Sequence, residues 1–387
     1  MKMRCSYWQK RMDLSGVPWS RYIMVSLKEE NPMNSLEKSV SQIFQKYMDK
    51  DYMAGGVCLV KQNDKEILFK AYGKRNSWTG DEVTIDTVFD LASVTKIITS
   101  TLILKLAGQG RLSLDTNLEQ CLPAAASNNI LAPLTIKQLL THSSGLTAWH
   151  PFYTELPNHN LYEILNSIEL KHQEEDQVVY SDLNYILLGE VLKEIHDSSL
   201  QKIVEKELAS PLKLSRLTYG PVQTDDVAAT EFGNRIEMGM CRSRKREFAG
   251  WRDTGKPIIG EVNDGNTYYF LNGESGHAGL FGTAADLSGI ADLYLKRGYA
   301  ADTEFIQSDL IKKSLENIVE NRGLGWHSSD PFPEGVGHTG FTGTALWMVP
   351  EKNLQAVLLT NRLHVDEPKN INPFRREIFE EIRQYFL

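Results

Sequence analysis

The sequence predicts an α+β fold: one antiparallel sheet built from both ends of the chain, flanked by terminal helices, with a mostly helical lobe inserted between its strands. Three observations carry this reading. Two strand-like segments, "GGVCLV" (55–60) and "EILFKAYG" (66–73), stand near the start, and two more, "GTALWMVP" (343–350) and "LQAVLLTN" (354–361), stand near the end. The stretch between them is rich in helix and loop signals and contains no internal repeat.

Residues 1–32 show no clear period and are expected to form a leader or disordered arm. In "SLEKSVSQIFQKYMDKD" (35–51), Leu36, Val40, Ile43, Phe44 and Met48 share one helical face, with Ser35 placed to cap it. "KQNDK" (61–65) then joins the first two strands as a hairpin turn. A helix is expected from Ser93. Its Val94, Ile97, Ile98, Ile103, Leu104 and Leu106 make it apolar nearly all round, which suits the centre of a domain. It ends at "GQG" (108–110), where glycine suits a C-cap. "PEKN" (350–353) turns between the last two strands, and "PFRREIFEEIRQYFL" (373–387) closes the chain as an amphipathic helix. The domain is expected over 33–387. Its sheet lobe spans about 33–90 and 320–387 and its helical lobe about 91–319, with a cleft between the two.

The 387 residues carry 42 Lys and Arg against 50 Asp and Glu, a net charge of −8 that argues against nucleic acid as a partner. The basic cluster "CRSRKREFAGWR" (241–252) reads as a solvated loop. Cys5, Cys58, Cys121 and Cys241 form no C-x-x-C pair, which fits a reducing compartment and gives neither a disulfide framework nor a zinc site. The nine histidines show no metal-binding spacing, and no glycine-rich loop fits a nucleotide or dinucleotide cofactor, so neither metal nor cofactor is expected. No apolar stretch approaches the roughly 18 residues of a membrane span. The longest apolar run near the N-terminus, "YIMVSL" (22–27), is too short for a secretory signal, so a cytoplasmic location is expected. The expected partner is a small-molecule or peptide substrate.

Chemistry is suggested by "FDLASVTKIITSTLILKLAGQGRLSLD" (89–115), where Ser93 stands three residues before Lys96. The same S-x-x-K spacing recurs at Ser35 and Lys38, Ser199 and Lys202, and Ser210 and Lys213, but only Ser93 opens a wholly apolar helix. The pattern alone leaves two readings open, a nucleophile with its base or the polar start of a buried helix. Under the first, positions i and i+3 project together. A lysine buried among apolar groups has a lowered pKa that would suit a base. The helix start would also favour a developing oxyanion at the Ser93 N–H.

With "LTIKQLLTHSSGL" (134–146), "VVYSDLNYILLGEVLKEI" (178–195) and "GHTGFTG" (337–343) following in order, the chain resembles the serine β-lactamase and penicillin-binding-protein-like family. The resemblance covers about residues 36–386 and is greatest to the branch of class C β-lactamases, D,D-peptidases and esterases. It implies a β-lactamase/transpeptidase-like fold and a serine hydrolase that works through an acyl-enzyme. It places the nucleophile on Ser93, the paired lysine on Lys96 and the catalytic tyrosine on Tyr180. The Ser93 and Phe341 N–H groups become the oxyanion donors, and His338-Thr339-Gly340 takes the place of the usual K-T-G on a strand bordering the site.

Two departures from the family pattern redirect the substrate. His338 replaces a permanent cation and would be mostly uncharged at neutral pH, weakening any grip on a substrate carboxylate. Asp182 stands where many relatives carry asparagine; it would keep Lys96 protonated and push the base role toward Tyr180. The blocks "GEVNDGNTYYFLNGESGHAGLFGTAADLSGIADLY" (260–294) and "LLTNRLHVDEP" (358–368) resemble a subgroup linked to cell-wall fragment turnover, including an amidase that cuts between N-acetylmuramic acid and L-Ala. This implies a muropeptide-type amide as substrate, with a carboxylesterase of weak or no β-lactamase activity as the alternative. A catalytically silent binding protein is a third reading, which the presence of Ser93, Lys96 and Tyr180 opposes. His277 and Gly279 are read as loop-shaping, with substrate contact the alternative for His277, and His142 as a packing residue. Asn361 and Arg362 could meet a substrate acid group or a structural partner. Loops in the 150–175 and 220–275 regions are expected to shape the specificity pocket.

Overall fold

The computed structural model describes residues 32–167 and 177–387, so the expected leader lies outside the described residues except for Pro32, and part of the 150–175 region does too. Six strands form the main sheet: β1 (Gly55–Gln62), β2 (Lys65–Asn76), β3 (Asp81–Glu82), β4 (Val336–Thr339), β5 (Ala345–Val349) and β6 (Leu354–Thr360). Their order is β4-β5-β6-β1-β2-β3, with antiparallel neighbours throughout. The two chain ends therefore meet in the middle of the sheet, where Gly56 pairs with Thr360 and Gln62 with Leu354. The turn between β1 and β2 is only Asn63-Asp64, at φ 50° and 61°. Asn and Asp tolerate that left-handed geometry, which matches the twist of a two-residue hairpin.

Six of the helices frame this sheet and the cleft: α1 (Pro32–Met48), α2 (Thr95–Gly108), α3 (Asp182–His196), α4 (Arg235–Ser243), α5 (Ala284–Leu295) and α6 (Asn372–Tyr385). α1 begins at Pro32, ahead of the expected cap Ser35, and proline suits a helix's first turn. α1 and α6 cover one face of the sheet. There Phe44 stacks on Tyr72 with centroids 4.0 Å apart and meets Phe374 edge-on at 4.9 Å. The opposite face packs on α5, which lies within the stretch expected to form the helical lobe. Because both faces are covered, β5 and β6 are buried at every position; β5 is an unbroken apolar run, and β6 is apolar apart from Gln355 and Thr360. The core on that side runs without a break from Val57, Leu59, Val357 and Leu359 of the sheet to Ile97, Ile103, Leu187 and Leu287 of the helices. The sheet and these helices share it.

The central helix differs from expectation at its start. Ala92–Val94 forms a 3-10 turn and the α-helix proper begins at Thr95. It ends as expected, with Gly110 at φ 70° beyond the cap. Its buried hydroxyls are satisfied locally: Thr101 Oγ1 donates to Ile97 O at 2.7 Å, and Ser100 Oγ lies 3.0 Å from the Tyr185 hydroxyl. A small sheet of Phe89–Asp90, Leu280–Gly282 and Thr218–Tyr219 leads the chain into that turn. Among the described residues no helix is long and apolar enough to cross a membrane.

Candidate active site

The turn carrying Ser93 is strained and held. Ala92, the residue before it, sits at φ 45°, a left-handed conformation that costs a non-glycine residue of order 1 kcal/mol. Buried Asp90 braces it: Oδ1 accepts the Ala92 N–H at 2.8 Å and Oδ2 accepts the Asn263 N–H at 2.7 Å. Burial raises this carboxyl to about 6, against the pull of those two donors. From the far side, Thr342 Oγ1 donates to Asp90 O at 2.7 Å and Thr344 Oγ1 to Leu91 O at 2.9 Å.

Lys96 is fully buried, and its Nζ contacts three acceptors: Ser93 Oγ at 3.0 Å, Asp182 Oδ1 at 2.8 Å and His277 O at 3.1 Å. An ammonium has three N–H donors, so all are engaged. Burial by itself would lower this pKa, but the charge of Asp182 and its hydrogen bond, with Tyr180 adjacent, raise it above the ordinary lysine value. Of the two expectations for Lys96, a base made by apolar burial and an ammonium held by Asp182, this geometry favours the second, with Asp182 as the counter-charge. The His277 carbonyl reaches Lys96 because two glycines let the backbones touch. A Cβ at Gly276 would lie 2.2 Å from Tyr185 O, and one at Gly189 2.7 Å from Gly276 N. The His277 ring is a brace, lying between Ser275 Oγ at 2.7 Å and Asp264 Oδ1 at 3.0 Å.

Tyr180 faces the same cleft as Ser93 and Asp182. Lys96 Nζ lies 5.0 Å and Arg322 Cζ 5.4 Å from its ring centroid. Beneath it lies His142, 4.6 Å away between centroids, whose Nδ1 accepts the Ser181 N–H at 3.0 Å. Burial, reinforced by Arg322 and Lys96, pushes the His142 pKa well below the usual range and keeps the ring neutral.

His338 requires a correction. It was expected to contact substrate, but it is 2 % exposed and lies behind Tyr180, outside the residues that line the cleft. Its Nδ1 is 2.9 Å from Thr339 O, and burial, with the positive neighbours Lys96 and Arg322, pushes its pKa well down. Outward and inward positions alternate along a strand, and 338 is an inward one. Thr339, Gly340 and Phe341 do line the cleft. Gly340 lies directly against the Ser93 turn, since a Cβ there would sit 2.6 Å from Leu91 O and 3.4 Å from Ala92 Cβ.

The cavity between these elements measures about 550 Å³, a size suited to a small ligand. Beyond Ser93 its far wall comprises Trp149, Glu237, Met240, Asn263 and Asp264, largely from the 220–275 region expected to shape the pocket. Glu237 accepts from the Tyr153 hydroxyl and the Gly265 N–H, each at 2.8 Å, yet burial and the nearby Asp264 raise it to about 8. Asp264 is held at about 2: burial opposes its charge, but His277 and the Thr267 donors prevail. The near wall adds Arg362, whose Nε donates to Phe341 O at 2.5 Å and whose Nη1 donates to Lys369 O at 2.9 Å. Asn361 turns away to bridge Gly55 N–H, at 2.8 Å, and Lys74 O, at 3.0 Å, so it is structural. Asp90, Trp149, Glu237, Asp264 and Arg375 are site residues that motif reasoning missed. No short pattern marks them, because each gains its role from a distant segment.

The sheet, its covering helices and the cleft together define the β-lactamase and transpeptidase class of serine hydrolases. The chain belongs to the beta-lactamase family, whose model matches residues 40–379. It is 30% identical over 375 residues to the N-acetylmuramyl-L-alanine amidase of Bacillus subtilis (strain 168), spanning 86% of this chain and 84% of that one. It is 27% identical over 384 residues to a protein of Escherichia coli (strain K12) named provisionally as a D-alanyl-D-alanine carboxypeptidase, over 88% and 86% of the two chains. Its fold matches that of EstCE1, a hydrolase with promiscuous acyltransferase activity, with a TM-score of 0.71 at 19% identity, covering 90% of this chain and 99% of that one. The family fold makes this protein an enzyme, a serine hydrolase acting through an acyl-enzyme. Membership also corrects the expected cytoplasmic location. Class C β-lactamases and penicillin-binding proteins are typically periplasmic or secreted, and the shortness of the apolar run at 22–27 does not outweigh that.

Proposed function

We propose that the protein hydrolyses muropeptide-type amides, with Ser93 as nucleophile, Tyr180 as the proton carrier and Lys96 as a permanent cation. The observation that carries the catalytic assignment is the saturated ammonium of Lys96, which holds Ser93 Oγ at 3.0 Å yet has no lone pair to take its proton. Tyr180, on the same cleft wall, is left to receive it. As the Ser93 oxygen bonds to the amide carbon, its proton passes to the Tyr180 oxygen while the Tyr180 hydroxyl proton moves on to the amide nitrogen, and the carbonyl oxygen becomes an oxyanion facing the Ser93 and Phe341 N–H groups. The C–N bond of the protonated nitrogen then breaks, the amine leaves, and water releases the acyl group by the same relay in reverse. The substrate class is supported by the similarity to the Bacillus subtilis amidase, which extends over most of both chains.

A carboxylesterase is the second reading, favoured by one observation: the uncharged, buried His338 leaves no cation at the position that would grip a substrate carboxylate. Hydrolysis of an N-acetylmuramyl-L-alanyl peptide is to be compared with that of a short p-nitrophenyl ester, using Ser93→Ala as the blank. We expect amide cleavage to be preferred and Ser93→Ala to be inactive at an unchanged melting temperature. Ester cleavage without amide cleavage would select the second reading, and residual Ser93→Ala turnover above a few per cent would remove Ser93 from its role.

A further inference from the structure

Arg375 takes no part in the proton path, yet it is a buried cation at the cleft. It projects from α6 and is 5 % exposed. Its Nη2 donates to two carbonyls, Gly340 O at 2.7 Å and Thr344 O at 2.8 Å, while Nη1 donates to Asn372 Oδ1 at 3.0 Å. Nε is buried without a partner, and among the described residues Arg375 forms no ion pair with a carboxylate. Burial and the adjacent Arg362 lower its pKa to about 9. A guanidinium buried without a counter-charge is costly to stability, so its retention calls for a gain elsewhere.

The peptide plane supplies that gain. A trans peptide is flat, and its C=O and N–H point in opposite directions. The carbonyl of Gly340 and the N–H of Phe341 belong to one such unit. Gly340 O is held by Arg375 Nη2 and by the Gly343 N–H at 3.2 Å, and fixing it there turns the Phe341 N–H the opposite way, away from the guanidinium. A cationic donor on the oxygen also polarises the amide and strengthens its N–H as a donor. The next carbonyl, Phe341 O, is fixed in turn by Arg362 Nε.

We propose that Arg375 is the positioning residue of the oxyanion hole, locking the Gly340–Phe341 peptide so that the Phe341 N–H faces the tetrahedral intermediate. The inference rests on the reading above, in which Ser93 attacks and Phe341 N–H receives the oxyanion.

The test uses the full chain, an uncharged p-nitrophenyl ester and phenylboronic acid, whose boron takes up the Ser93 oxygen as a tetrahedral adduct. Active sites are counted by fluorophosphonate titration, so that misfolded protein drops out. Arg375→Met should lower kcat per site on the order of 10- to 100-fold with KM nearly unchanged, part of the roughly 100- to 1,000-fold cost of deleting a donor outright. Phenylboronic acid should weaken by a similar factor. Arg375→Lys, which keeps charge but not the planar fork, should fall between. A purely structural role would reduce the number of titratable sites and the melting temperature while leaving kcat per site and boronate affinity intact. A role in gripping a substrate carboxylate would not appear with an uncharged ester. Should Arg375→Met fail to fold, Asn372→Ala loosens the same guanidinium and should show the same split at smaller size. Unchanged kcat per site in the variants that fold overturns the proposal, whereas turnover by Ser93→Ala overturns the underlying reading instead.

Discussion

Glu237 shows how a single residue on the cleft wall responds to pH. Its carboxyl is raised from 4.5 to about 8, by burial first and by Asp264 next, with Glu231 adding to both. Between those values the folded protein binds a proton that the unfolded chain has released, so this group makes stability fall as pH rises from about 4.5 to about 8. Below 4.5 both states are protonated and the effect vanishes. Glu237→Gln keeps the shape, accepts from the Gly265 N–H and donates to the Tyr153 oxygen, whose own proton can turn to Cys241 Sγ at 3.2 Å. The variant should therefore gain melting temperature relative to the parent as pH rises to 8 or 9, with no difference at pH 4. A constant offset across that range would show that Glu237 does not titrate there. Charge states of this kind are where the sequence was hardest to read. The Ser93 and Lys96 spacing was visible as a motif, but the charge on Lys96 depends on Asp182, 86 residues away, and Asp90 is fixed by Asn263, 173 residues away. Asp182 was legible only because a second motif carried it.

The element scale is governed by how close the Ser93 turn and the end of β4 come together. Gly340 permits that approach: a Cβ there would meet Thr344 Oγ1 at 2.1 Å and Leu91 O at 2.6 Å, neither of which can yield without releasing a hydrogen bond. Gly340→Ala should cost about 1–3 kcal/mol and lower kcat as the strand end is pushed off the turn. Ala92→Val should be destabilising by at least ~1 kcal/mol, because a β-branched residue is poorly tolerated at φ 45°. Ala92→Gly tolerates that φ and should be near neutral in denaturant unfolding. Equal stability for the valine and glycine variants would mean the strain is absent. Periodicity identified the helices and strands but not their ends. α1 starts at Pro32 rather than Ser35, and the central helix gives its first turn to the 3-10 segment bearing Ser93. Such ends depend on tertiary partners, here Asp90 and the Thr342 and Thr344 hydroxyls, which local patterning does not register.

At the scale of the whole molecule, alternation and apolar runs were enough to reveal a sheet made from both chain ends, because register there is fixed by burial on both faces. The compartment was not legible, since a short N-terminal apolar run tests one export signal and the family decides the rest. The assembled cleft also sets a limit on substrate. Its two cations, Arg362 and Arg375, are occupied with backbone carbonyls, and the far wall carries Glu237 and Asp264. His338 lies behind Tyr180 and is neutral. A β-lactam approaching Ser93 therefore brings its carboxylate to a cleft with no free ammonium. Losing such a charge-assisted contact costs about 1.5–3 kcal/mol, or roughly 10- to 150-fold in kcat/KM. Nitrocefin should accordingly be hydrolysed at least about tenfold less efficiently than a p-nitrophenyl ester under the same conditions. Because the cleft offers no free cation whose attraction could be screened, raising the salt concentration should not lower nitrocefin turnover relative to the ester. Nitrocefin turnover that matches the ester and falls with salt would show that a cleft arginine leaves its carbonyls to bind the carboxylate, and the limit on substrate would then be set by Arg362 or Arg375 instead of by His338.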